Sequence, residues 1–199
     1  AIHFGLILLL VSELLTDLLA VESQMTISEN GRSNYSQTIR ENELVLIDRS
    51  DPEFDQVHAI PVDSLKPGKK VQIPDTSLYA QVVSLYPNSQ LVQAQGSQNP
   101  ANRGVAENMG VIAIPKAPDY SEKAINTITA YVEILDGQDS LGTWLVSNVI
   151  DDRFPPQTIQ ANDRDYEIAL RFQRHYYPFE LELLDFAHDK YPGTEIPFN

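Results

Sequence analysis

The stretch Thr127–Ile150, TITAYVEILDGQDSLGTWLVSNVI, decides the fold class. Ile128, Ala130, Val132 and Ile134 alternate with Thr127, Thr129, Tyr131 and Glu133. Because successive side chains of a strand point to opposite faces, this alternation predicts a half-buried β-strand. Asp136-Gly137 then supplies a turn, and Leu141 to Ile150 returns as a second strand carrying the sole tryptophan, Trp144.

Working outward, the same grammar recurs. Downstream, Asn162-Asp163 is a hairpin signal between Thr158-Ile159 and a strand with Tyr166, Ile168, Leu170 and Phe172. Phe179, Leu181 and Leu183 then alternate with Glu180 and Glu182. Upstream, Ser77 to Tyr86 and Gln90 to Gln95 read as strands, Gly110 to Ile114 as a short buried one, and Glu43 to Asp48 as another. Glu29-Asn30-Gly31 is a turn after Met25-Thr26-Ile27, residues 51–74 are broken by prolines and by Pro67-Gly68, and residues 95–108 read as a long polar surface loop. Many short strands with frequent turn signals predict a mainly β protein, an antiparallel sandwich or open barrel.

Composition narrows the function classes. Among 199 residues, 14 Lys and Arg face 28 Asp and Glu, for a net charge of −14. Such a surface repels nucleic acid and anionic headgroups, so no nucleic-acid partner is expected. The absence of cysteine excludes disulfides, thiolate metal sites, a cysteine nucleophile and haem attachment through this chain's own thiols. The chain starts inside an apolar run without Met and ends without a stop signal of its own, so we read it as an excerpt of a longer protein.

Residues 1–22 differ from the rest. Phe4 to Val11 is unbroken apolar sequence, continued by Leu14, Leu15, Leu18, Leu19 and Val21. Leucine-rich composition without proline predicts a helix, and its length approaches the ~20 residues of a membrane span. We therefore expect a transmembrane helix over 1–22 and a β-rich domain over 23–199. A signal peptide fits less well, because Glu13 and Asp17 interrupt the run and no small-residue cleavage pattern follows. Glu22 and Glu29 precede the first base, Arg32, so that end is expected to face outward. At about 100° per residue, His3, Glu13 and Asp17 fall within roughly 80° of one face. Carboxylates are costly in lipid, so this face should look at protein or water. His3, some 21 Å along the helix from Asp17 at about 1.5 Å per residue, is a functional candidate by depth. It is equally an imidazole that hydrogen-bonds a neighbouring helix, or one near the inner interface of a tilted helix.

No other constellation builds chemistry. His58, His175 and His188 are dispersed, and Asp185, His188 and Asp189 are close neighbours at a spacing common by chance on a strand or turn, which suits surface solvation better than a metal site. No nucleophile-elbow motif accompanies the serines. Glu180 and Glu182, two apart, suit the wet face of a strand better than a glycosidase pair. Tyr176-Tyr177-Pro178 is either a recognition surface or a packed aromatic edge. Catalytic residues and a metal site are therefore not assigned.

Two stretches together resemble the ResB family of system II (Ccs) cytochrome c biogenesis proteins. One is His3-Phe4-Gly5-Leu6 through Leu14-Leu15-Thr16-Asp17. The other runs from Arg171-Phe172 through Tyr177-Pro178-Phe179-Glu180-Leu181 and Leu184-Asp185-Phe186 to Tyr191-Pro192-Gly193-Thr194-Glu195-Ile196-Pro197. Ser12 departs from the glycine often found in the helix motif, and residues 30–165 add only a compatible β pattern. The resemblance implies a domain outside the bacterial cytoplasmic (inner) membrane, on the periplasmic side, following a membrane helix. It implies a ResC/CcsA-type membrane partner, haem carried across the membrane, and presentation of that haem to apocytochrome c, whose Cys-x-x-Cys-His thiols receive its vinyl groups. His3 matches the family's membrane histidine implicated as a haem axial ligand. The chain would then act within a haem-ligating synthetase and not as an enzyme alone. The reading that competes is a membrane-anchored binding or sensor module without haem.

Overall fold

A computed structural model describes residues 2–20, 22–93, 98–121, 124–150 and 153–186. Its elements run α1 (Ile2–Leu19), β1 (Ser23–Gln24), β2 (Arg32–Asp48), β3 (Gln56–Pro61), a 3-10 turn (Val62–Ser64), β4 (Lys70–Gln72), β5 (Leu78–Tyr86), β6 (Ser89–Gln93), α2 (Gly104–Met109), β7 (Val111–Pro115), β8 (Thr129–Asp136), β9 (Asp139–Ser147), β10 (Gln157–Ala161) and β11 (Arg164–Glu182). The protein is mainly β, and the paired strands of its sheets run antiparallel.

The chain divides into two compact units. The larger, Arg40–Gln173, holds the main core. One sheet is ordered β1-β2-β11-β10 with β3 added on β2, and another β4-β5-β8-β9. Within this unit the sheets share a core: Leu44 and Leu46 from β2, Ile168 and Leu170 from β11, Ala80 and Val82 from β5, Val132 and Ile134 from β8, and Trp144 from β9. The alternation read in β8 is thus real, but its other face is buried too. Tyr131, with Leu145 of β9, packs into a second cluster with Val105 and Ala106 of α2, Val111 of β7 and Ile150. The antiparallel pair β6–β7 is fastened there by the Ala113 N–H, which donates to the Tyr131 hydroxyl at 3.0 Å. Burial pushes that phenol's pKa up.

The turn signals hold. Asn162 and Asp163 take φ of 53° and 58°, the pair of left-handed residues of a two-residue hairpin turn between β10 and β11. Asn30 is left-handed as well, at φ 59°.

Other expectations need correction. Residues 95–108 were expected as loop, yet α2 begins among them at Gly104 and runs one residue past them. It ends at Gly110, left-handed at φ 66°, and is held from a distance by Gln157. The buried Gln157 accepts from the Val105 N–H at 3.0 Å and donates to the Leu145 carbonyl at 2.8 Å. The strand expected over Glu43–Asp48 begins at Arg32, and the separate strands expected around Phe172 and Phe179 form one, β11.

The smaller unit, 1–39 with 174–199, contains α1, β1, the first half of β2 and the last half of β11. Ser23 and Gln24 pair with Thr38 and Gln37. The far end of this ribbon is closed by the Asn30 N–H donating to the Leu183 carbonyl at 2.7 Å and the Leu183 N–H donating to the Gly31 carbonyl at 3.1 Å. No helix among the described residues is long and apolar enough to cross a membrane. The 18 residues of α1 span about 27 Å at 1.5 Å each, against a hydrocarbon core of about 30 Å, and include Glu13 and Asp17. The transmembrane helix expected over residues 1–22 is therefore not what the fold itself displays.

Candidate functional site

The residues singled out in the sequence concentrate in the smaller unit. His3 sits in the first turn of α1 and is exposed. One turn on, Leu6 and Ile7 lie on its face of the helix and are 62% and 58% exposed. From Phe4 to Leu19 the large apolar side chains are all uncovered by the described chain, which no helix in a folded core would be. Glu13 is exposed, and the side chain of Asp17 lies outside the described residues. Ser12 and Thr16 turn their hydroxyls back onto the carbonyls of Leu9 and Ser12, at 2.8 and 2.9 Å, so neither adds a free polar group to the helix surface.

The second motif lies along β11. At its start Arg171 is buried and its Nε donates to Glu43 at 3.0 Å, a pair of 9% and 7% side-chain exposure. Beyond Gln173 the strand emerges from the core, and here the structure separates two residues that the sequence joins. Tyr176 lies against Tyr35, ring centroids 5.6 Å apart, with the Arg174 guanidinium 4.2 Å over the Tyr35 ring. Tyr177 points to the opposite face, stacks on Phe179 at 5.2 Å and bonds the Ser36 hydroxyl at 3.0 Å. Glu180 and Glu182 are exposed and both face Arg32, at 3.7 and 3.3 Å. Asp185 is exposed, whereas His188, Asp189 and the Tyr191–Pro197 part of the motif lie outside the described residues.

The remaining histidines go separate ways. His58 is buried on β3 with its ring edge-on to Tyr166 at 6.5 Å, while His175 is exposed on β11. Among the described residues no group of three His, Asp or Glu side chains could hold a metal ion. The buried hydroxyls of Ser89, Thr129 and Ser147 form a chain at 2.7 and 2.9 Å, but only with each other and the Thr127 carbonyl. With no base in that chain, it is a structural tie.

The larger unit adds features that sequence reading passed over. A cavity of about 140 Å³ is lined by Leu91, Val92, Val111, Met109, Phe154 and the edges of Gln93 and Arg153. A second, about 260 Å³, lies on the other side of Met109 against Pro155 and Pro156. Their only signal in sequence was Gly110 closing a helix too short to show a period.

No protein-family model and no curated protein matches the chain.

Proposed function

We propose that this chain is the outer, β-rich part of a membrane-anchored, ResB-like cytochrome c assembly factor. It would work with a ResC/CcsA-type membrane protein to pass haem to apocytochrome c. The observation that carries the proposal is α1: an uncovered apolar helix that presents the exposed His3 and, four residues after Leu19, leads into an antiparallel β body. An apolar cylinder of this kind is stable in lipid or against another apolar helix, and not in water. Its span falls only a few ångströms short of the hydrocarbon thickness, a mismatch that bilayers absorb by thinning at modest cost.

The residues present fit a haem. A neutral imidazole is a good iron ligand, and the exposed Phe4, Leu6 and Ile7 beside it would suit an apolar macrocycle. His3 would be this chain's ligand to the iron, with the partner completing the site. Bound haem supplies the vinyl groups that receive the thiols. This chain's own part is to bind and orient.

The test is the visible spectrum of the protein purified with its membrane partner, with and without His3→Ala. The expected result is a low-spin haem whose absorption weakens or shifts in the variant and recovers with added imidazole. Haem indifferent to His3 would remove the ligand assignment. A complex with no haem and no cytochrome c maturation would favour the competing reading, an anchored binding module. The apolar cavity of Leu91, Met109, Val111 and Phe154 is the feature that supports this second account.

A further inference from the structure

We propose that the Tyr177–Phe179–Leu181 stripe of β11 rests on the headgroup–acyl boundary of a zwitterionic bilayer, beside the point where α1 enters it. This inference rests on the membrane-anchored reading above and adds a second lipid contact, made by the β ribbon.

The ribbon formed by the first half of β2 and the last half of β11 has two unlike faces. On one, Arg32 engages Glu180 and Glu182, and Arg174, Tyr35 and Tyr176 form a cation–aromatic cluster. On the other stand Tyr177, Phe179 and Leu181, alternate residues of a strand and therefore neighbours on one side. Phe179 and Leu181 are 52% and 47% exposed, and Tyr177 is half-buried through its stacking on Phe179. In the larger unit the same two strands bury their apolar residues almost completely. An uncovered aromatic and aliphatic stripe alternating with paired carboxylates on the opposite face is an amphipathic surface that needs an apolar occupant.

The chain's own connections indicate lipid as that occupant. Leu19 closes α1 and Ser23 opens β1, so four residue steps, at most about 14 Å, separate the apolar helix from the ribbon. Ser23 is then tied to the stripe by hydroxyls. The Ser36 hydroxyl donates to Ser23 Oγ at 2.9 Å, which leaves the Tyr177 hydroxyl to donate to Ser36 at 3.0 Å. A helix seated in the bilayer thereby holds Tyr177 close to the surface it leaves. Tyrosine beside phenylalanine is the pairing such a boundary favours, one polar tip over an apolar body. The strand's carboxylates are turned to the other face and paired, while the net charge of −14 disfavours anionic lipid. The matching surface is therefore neutral and zwitterionic.

The experiment uses the full chain in phosphatidylcholine vesicles carrying spin labels either about 5–10 Å deep or near the bilayer centre. Tryptophan reporters are placed singly at Phe179→Trp, at Leu9→Trp in α1 and at Tyr120→Trp, an exposed residue of the larger unit. The buried native Trp144 gives the same background in each. The Phe179→Trp reporter should shift to the blue and lose most of its emission to the shallow label, with the Tyr120→Trp reporter unaffected. If Leu9→Trp is quenched by the deep label while Phe179→Trp is not, the anchor stands and the stripe proposal falls. If neither is quenched, both fall. A blue shift of Phe179→Trp on adding the membrane partner, with no quenching by lipid, would assign the stripe to a protein and overturn the proposal.

Discussion

Strands β2 and β11 each pass through both units, and the contrast between their halves separates residues that serve the fold from residues left for something else. In the larger unit Asn42–Asp48 is buried throughout, as are Ile168–Arg171. In the smaller unit the same strands carry Asn34, Ile39, Tyr176 and Phe179 to Glu182 exposed. Backbone conformation and pairing continue, so strand propensity does not account for the change. What differs is whether a second layer covers the faces. In the larger unit most apolar residues of β2 and β11 lie in buried clusters, whereas those of α1 and of the last part of β11 are left uncovered by the described chain.

That comparison can be broken most directly at the buried ion pair. Removing one charge from Glu43–Arg171 leaves the other stranded, so Arg171→Leu should destabilise by about 3–5 kcal/mol. The double replacement with Glu43→Leu should recover much of the loss, because a buried pair is compensated by an apolar one of similar volume. Denaturant unfolding measures both. If the double variant is no better than the single, the pair is not an isolated unit and the burial argument is incomplete.

A core deletion sharpens the contrast. Ile168→Ala, at a fully buried position, should cost about 2–5 kcal/mol. Phe179→Ala, on the uncovered stripe, should change the stability of the detergent-solubilised chain by less than about 1 kcal/mol. Equal losses would show that Phe179 belongs to a core and would remove the reason to seek a partner for it.

A smaller effect separates backbone strain from packing. Gly104 has φ 64°, and a Cβ there would run into the Gln157 amide and Trp144. Gly68 has φ 76° but open space around it. Gly104→Ala should therefore cost about 1–3 kcal/mol and loosen α2, and Gly68→Ala only about 1 kcal/mol, both by thermal unfolding. Similar melting shifts would mean that Gln157 yields freely and does not fix α2.

How much of this was legible in sequence follows from the same physics. Strand β8 announced itself through period-two apolar residues, and Asp136-Gly137 and Asn162-Asp163 marked the turns into β9 and β11, because turn chemistry is carried by adjacent residues. Arg32–Ile39 carried no such pattern, since the residues it buries, Ser33, Ser36 and Thr38, are polar, and Pro178 hid the continuity of β11. Helix α2 is six residues long and held by Gln157, more than fifty positions away, so no local window contains its cause. Of the candidate site, His3 and the motif residues could be named from sequence. The division of Tyr176 from Tyr177 could not, because it depends on which strand lies alongside.

The finest difference between the halves lies in acid stability, and it belongs to the larger unit. Asp48, buried at the end of β2, accepts from the Ser50 N–H at 2.9 Å and is bridged by Arg164 at 2.7 Å. Ser50, through hydroxyl and backbone, is the first cause, and Arg164 the lesser one, of a carboxyl pKa held below its ordinary 3.8. A depressed native pKa means that the unfolded chain binds the proton more readily. Stability from this group is therefore fully present above pH ~4 and is lost as pH falls through the native value. Asp48→Asn should lower stability near neutral pH and flatten its fall between about pH 4 and 2, as followed by the unfolding midpoint against pH. The surface pair of Arg32 with Glu180 and Glu182 is exposed and screened, so Glu182→Gln should lower stability near neutral pH by less than Asp48→Asn does. A larger loss from Glu182 than from Asp48 would reverse the assignment of stability to the larger unit, and with it the reason for treating the ribbon as a surface free to contact lipid.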